Sequence, residues 1–87
     1  MGDYSVRLRA SVRKDLRRIP KADVVRITER IAAFAGDPRP AGAEKLSTRE
    51  RYRVRQGDYR IVYEVEDLMV TVWVVKVEHR RDVSRGE

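Results

Sequence analysis

Arg51, Arg53 and Arg55 alternate with Tyr52 and Val54, and beyond Gly57-Asp58 the run Tyr59-Arg60-Ile61-Val62-Tyr63 sets Arg60 among apolar residues. A second cationic stretch follows in Glu78-His79-Arg80-Arg81-Asp82-Val83. Side chains on a strand point to opposite faces in turn, so this spacing makes one face apolar and the other basic. Guanidinium groups present planar forks of donors that match phosphate oxygens, and aromatic rings offer surfaces on which bases stack. A basic, aromatic-edged sheet face suits an RNA ligand better than a small metabolite.

The whole chain carries the same bias. Its 87 residues hold 20 Lys plus Arg against 14 Asp plus Glu, a net charge of +6 that favours polyanions through counterion release. The length predicts a single domain over residues 1–87 with a small core. There is no cysteine, which excludes disulfides, thiolate metal sites and a cysteine nucleophile. With one histidine besides, no metal site and no cofactor are expected. No apolar run approaches the roughly 20 residues of a membrane span, and no signal-peptide pattern opens the chain. The expectation is a cytoplasmic protein with no membrane partner.

The elements that must position these cations can be read in order. Tyr4, Val6 and Leu8 alternate with polar residues as a first strand. Ser11 is placed to cap a short helix in which Val12, Leu16 and Ile19 recur. Pro20 then opens a second helix over about 21–35, with Val24, Ile27, Ile31 and Phe34 along one stripe. Gly36-Asp37-Pro38 ends it, and a loop over 36–48 leads to three strands.

Burial fixes the register of the first pair. A two-residue Gly57-Asp58 turn sets Arg55 opposite Arg60 and Arg53 opposite Val62. Tyr52, Val54, Ile61 and Tyr63 then share the apolar face. A three-residue loop would drive charge into the core, so the shorter turn is selected, with glycine supplying the positive φ of a type II′ geometry. A second tight turn at Glu66-Asp67 would add Leu68, Val70, Val72 and Val74 to the apolar face. It would also put Trp73 outward, directly across from Arg60. The helices must cover the apolar face. The expected fold is α+β, β-α-α-β-β-β, with two helices on one face of a twisted, mainly antiparallel four-stranded sheet.

This order and several local motifs resemble the RelE/ParE superfamily of type II toxins. The carriers are Asp15-Leu16-Arg17-Arg18-Ile19-Pro20, Lys45-Leu46, Tyr52-Arg53-Val54-Arg55, Gly57-Asp58-Tyr59-Arg60-Ile61-Val62-Tyr63 and Val77-Glu78-His79-Arg80-Arg81-Asp82-Val83. The basic strand and the His-Arg-Arg-Asp tail look closer to the RelE branch. That resemblance implies a ribosome-dependent mRNA endonuclease that cuts A-site mRNA by metal-free attack of a ribose 2′-OH. It also implies a cognate antitoxin partner, contact with ribosome and mRNA, and operator DNA binding through the antitoxin complex.

Within the resemblance, Arg60 matches a strand arginine that clamps phosphate; a cross-strand ion pair with Glu64 or Glu66 is the plainer alternative. Arg53 and Arg55 match basic positions that are often lysine, the second a proposed general base. Arginine is a poor proton acceptor, so Arg55 fits charge stabilisation better, or simply a solvated edge-strand charge. Arg80 matches a tail arginine associated with the leaving group. His79 brings the side-chain type suited to proton transfer near neutrality, as well as a surface role. Arg81 joins Arg53, Arg55, Arg60 and Trp73 as expected RNA contacts, although Trp73 also fits an apolar cluster with Val62 and Val75. Glu44 resembles a general-base glutamate of another branch, or an ordinary loop carboxylate.

One departure stands out. Where many RelE members carry a tail tyrosine, this chain has Ser84, which cannot stack on a base. Two alternatives therefore remain beside the nuclease: a ParE-like inhibitor of DNA gyrase without catalytic activity, and a non-toxic member that binds only antitoxin and operator.

Overall fold

The computed structural model describes residues 3–46 and 50–81. The elements run β1 (Ser5–Leu8), α1 (Ala10–Arg17), α2 (Lys21–Ala33), β2 (Glu44–Lys45), β3 (Arg51–Gln56), β4 (Tyr59–Glu66) and β5 (Thr71–His79). They form an α+β fold whose sheet has the order β1-β5-β4-β3-β2. β1 runs parallel to β5 and the other pairs are antiparallel. The sheet has five strands rather than the expected four, because the chain leaving the 36–43 loop lies along β3. Glu44 pairs there with Arg53 and Lys45 with Tyr52. Two residues are too few for alternation to reveal a strand.

The helices cover one face, as their stripes require. Val12, Ile27, Ile31 and Phe34 are buried against Tyr52, Val54, Ile61 and Tyr63 of the sheet. Tyr63 is fully buried, stacked on Phe34 at 4.1 Å between ring centroids, and its hydroxyl donates to the Pro38 carbonyl at 2.8 Å. Ser11 does not cap α1. The Arg9 amide still belongs to the sheet, donating to the Val74 carbonyl at 3.0 Å, and the helix starts at once from Ala10. Ser11 thus falls in the first turn, where its hydroxyl donates to the Val75 carbonyl at 3.3 Å.

The β3–β4 register is as the sequence requires: Arg55 faces Arg60, Arg53 faces Val62, and Tyr52 faces Tyr63. Gly57 has φ of +61° and Asp58 does not share the left-handed region, which matches a type II′ turn.

The β4–β5 hairpin differs from expectation in two ways. β4 continues through Glu66, so the turn occupies residues 67–70, with Val70 at φ +46°. Leu68 is 99% exposed and Val70 is exposed as well, whereas Val72 and Val74 are fully buried as expected. Trp73 consequently lies opposite Glu64, not Arg60. The second difference is a β-bulge: Val62 pairs with Lys76 and Tyr63 with Val74, leaving Val75 as the extra residue. The bulge changes the strand's phase, so Val77 returns to the core and Lys76 and Glu78 face away from the helices.

Arg39 ties several of these segments together. It donates to the Tyr52 hydroxyl at 2.8 Å and forms ion pairs with Glu50 at 2.6 Å and Asp67 at 2.8 Å. Tyr4 also donates to Asp67, at 2.7 Å. Bonds from Arg39, then Tyr52 and Lys45, hold the Glu50 carboxyl down to about 2.

Candidate nucleic-acid interface

The face of the sheet away from the helices carries an open groove of about 510 Å³. Val62 and Val75 line it together with Leu46, Arg51, Arg53, Lys76 and Glu78. Arg53 reaches this face from β3 and forms an ion pair with Glu44 of β2 at 2.8 Å. Arg51 forms one with Glu64 across the β3–β4 ladder at 2.5 Å. Lys76 stands 3.5 Å from Glu78 on its own strand. Ion-paired cations therefore surround apolar side chains, an arrangement able to hold a phosphate backbone where phosphate replaces a carboxylate, while bases or sugars meet the valines.

Arg60 is half-buried on the same face, directly across from Glu78. Among the described residues its guanidinium makes no hydrogen bond or ion pair. The two carboxylates considered for it have other partners: Glu64 takes Arg51, and Glu66 accepts from the Trp73 indole at 3.3 Å. Arg55 lies at the turn end of the face, exposed, with a long contact of 3.4 Å to the Gly57 carbonyl. Trp73 lies towards β1, its ring covered by the Arg9 guanidinium at 4.5 Å from the centroid.

The tail cations begin elsewhere. His79 faces the helix side of β5, edge-on to Tyr59 with ring centroids 5.2 Å apart, in a second groove with Asp15, Arg18 and Ile19. Its Nδ1 accepts from the Arg81 amide at 3.1 Å. Burial, with lesser contributions from Asp23 and Asp58, raises the Tyr59 phenol. The Arg80 amide donates to the Asp58 carbonyl at 2.8 Å, which fixes the start of the tail beside the β3–β4 turn. Lys76 and Glu78 line both grooves. Thus Arg53 and Arg60 share one face with Trp73 at its far side, while His79 opens onto the other. Ser84 lies outside the described residues.

The sequence reading missed Lys76 and did not single out Arg51 in the groove. Strict alternation from Val72 and Val74 would turn residue 76 towards the helices. An apolar residue at 77, with lysine at 76, was the available sign that the phase changes.

A profile of the ParE toxin of type II toxin-antitoxin systems, parDE, matches residues 6–83. The chain is also 34% identical to Toxin RelG of Mycobacterium tuberculosis over 88 residues, covering 94% of this chain and 97% of the relative. The chain belongs to the RelE/ParE superfamily of type II toxin-antitoxin toxins. Solved structures agree with this RelE/ParE assignment. The toxin-antitoxin complex RelBE2 from Mycobacterium tuberculosis contains a chain matching at TM-score 0.78 and 26% identity, over 90% of this chain and 92% of that one. The archaeal RelE–RelB complex from Pyrococcus horikoshii OT3 gives 0.79 and 27%, over 90% and 96%.

Proposed function

We propose that this toxin is a ribosome-dependent mRNA endonuclease acting on the codon in the A site. The carrying observation is Arg60: a half-buried guanidinium without a carboxylate partner among the described residues, next to a groove lined by Arg51, Arg53 and Lys76. In the reaction, the ribose 2′-oxygen attacks the adjacent phosphorus and loses its proton to a base. The bond from phosphorus to the 5′-oxygen breaks, giving a 2′,3′-cyclic phosphate and a 5′-hydroxyl that takes up a proton. Arg53, Arg55 and Arg60 stabilise charge on the phosphorane, which fixed donors do best where they need no reorganisation. Arg80 serves the leaving group, Arg81 and Trp73 contact flanking RNA, and His79, on the helix side of β5, stands apart from this phosphate. Glu44, ion-paired to Arg53 at 2.8 Å, is a carboxylate candidate for the base. No cofactor takes part.

An antitoxin is the expected partner, since the similar RelBE2 and archaeal RelE–RelB structures are toxin-antitoxin complexes. Operator binding through that complex and a cytoplasmic site of action belong to the same reading. The test is a translation extract: wild-type protein cuts mRNA only with ribosomes present, and Arg60→Ala stops the cutting while remaining folded. The ParE profile match favours one second reading, inhibition of DNA gyrase. Inhibited supercoiling together with intact mRNA on ribosomes would replace the first reading by the second.

A further inference from the structure

The bulge in β5 carries an inference that rests on the nuclease reading and deepens it. By turning Lys76 outward opposite Val62, while Glu78 lies opposite Arg60, it makes Lys76 and Arg60 diagonal neighbours on the outer face. Diagonal cross-strand positions are about 7–8 Å apart, within the reach of long side chains on one shared ligand. Glu78 stands between the two cations: it follows Lys76 by two residues on the same face and faces Arg60 across the ladder. Its side chain is 15% exposed, against 59% for Lys76, and the Lys76–Glu78 separation of 3.5 Å is the longest among the groove's ion pairs. Arg51 and Arg53 each have a carboxylate of their own, whereas Lys76 and Arg60 have one nearby carboxylate for two charges. This end of the groove therefore carries positive charge in excess of carboxylate, with Arg55 facing Arg60 across the neighbouring ladder.

We propose that Lys76 and Arg60 grip one RNA phosphate between them, in the place where the Glu78 carboxylate sits in the free protein. Lysine suits this position because its ammonium is a compact charge with rotatable donors, able to swing from a carboxylate to a phosphate without a fixed fork geometry. The Glu78 carboxylate acts as a resident anion that the incoming phosphate displaces, so it restrains binding of RNA.

The test is single-turnover cleavage of A-site mRNA on programmed ribosomes, with melting curves to verify folding. Lys76→Ala is expected to lower the rate about tenfold and Lys76→Arg to restore most of it, as for a charge-assisted contact to phosphate. Glu78→Gln is expected to raise the rate at subsaturating toxin. Arg60→Lys, which keeps a charge and a measurable rate, and Lys76→Ala should be coupled, the double variant losing less than the product of the single losses. Fully multiplicative losses would overturn the shared phosphate. An unchanged rate in Lys76→Ala, with cutting lost in Arg60→Ala, would overturn the role of Lys76 and leave the nuclease reading intact. Absence of cutting by the wild-type protein would remove both.

Discussion

The Tyr63 hydroxyl and the Pro38 carbonyl meet at 2.8 Å in the interior, joining β4 to the loop that follows α2. Tyr63→Phe keeps the ring stacked on Phe34 but leaves the carbonyl without its donor, which costs about 1–3 kcal/mol for a buried group. Tyr63→Ala also removes the ring and should cost about 3–5 kcal/mol. Urea unfolding should rank them wild type, Phe, Ala, and Tyr63→Asp should not fold. A stable aspartate variant would contradict the burial of this side chain.

Acid should loosen the Arg39 cluster. The Glu50 carboxyl is depressed from 4.5 to about 2 by its bonds from Arg39, Tyr52 and Lys45. A depressed carboxyl stabilises the fold above its unfolded pKa, and that stability is lost as pH falls from about 4.5 towards 2. Asp67 is lowered too, first by Arg39 and then by Tyr4, and acts in the same direction. Melting temperature followed across this window should fall less steeply in Glu50→Gln than in wild type.

At the β3–β4 turn, Gly57→Ala meets no neighbouring atom within 4 Å, so its cost is confined to the backbone. With φ at +61°, a Cβ there should destabilise by about 1–2 kcal/mol. Gly57→Asn should lose less, because asparagine tolerates the left-handed region. Equal stability of all three forms by denaturant titration would mean that the turn relaxes to another type.

These changes probe parts of the fold that differed in how openly the sequence displayed them. The β3–β4 pairing was legible because Gly57-Asp58 admits one short turn and because any other register buries arginine. The helix stripe through Ile27, Ile31 and Phe34 was legible for a similar reason: misplacing it exposes apolar area. Leu68 and Val70 misled because hydrophobicity alone does not reveal where β4 ends. The Lys76 position was hidden by a bulge, whose cause is the fit of two strands rather than any local motif. Of the candidate site, Arg53 and Arg60 could be assigned to the outer face, but the opposite orientation of His79 depended on that same hidden phase change.

A fourth outcome concerns Ser84. Ser84→Tyr should increase ribosome-dependent cutting, since stacking of a base on an aromatic contributes about 1–3 kcal/mol. Cleavage rates of the two proteins on the same message make the comparison. An unchanged rate would mean that another side chain already fills this role.

The extra residue at Val75 has a further consequence for how β5 can vary. Inward positions are even-numbered before it, at Val72 and Val74, and odd-numbered after it, at Val77. The strand therefore has two parities and two separate sets of constraints. Its first half answers to the helices through even positions, and its second half presents even positions to the outer face. A relative lacking the extra residue would keep one parity throughout and turn its counterpart of Lys76 inward, so inheritance of that charge depends on inheritance of the bulge.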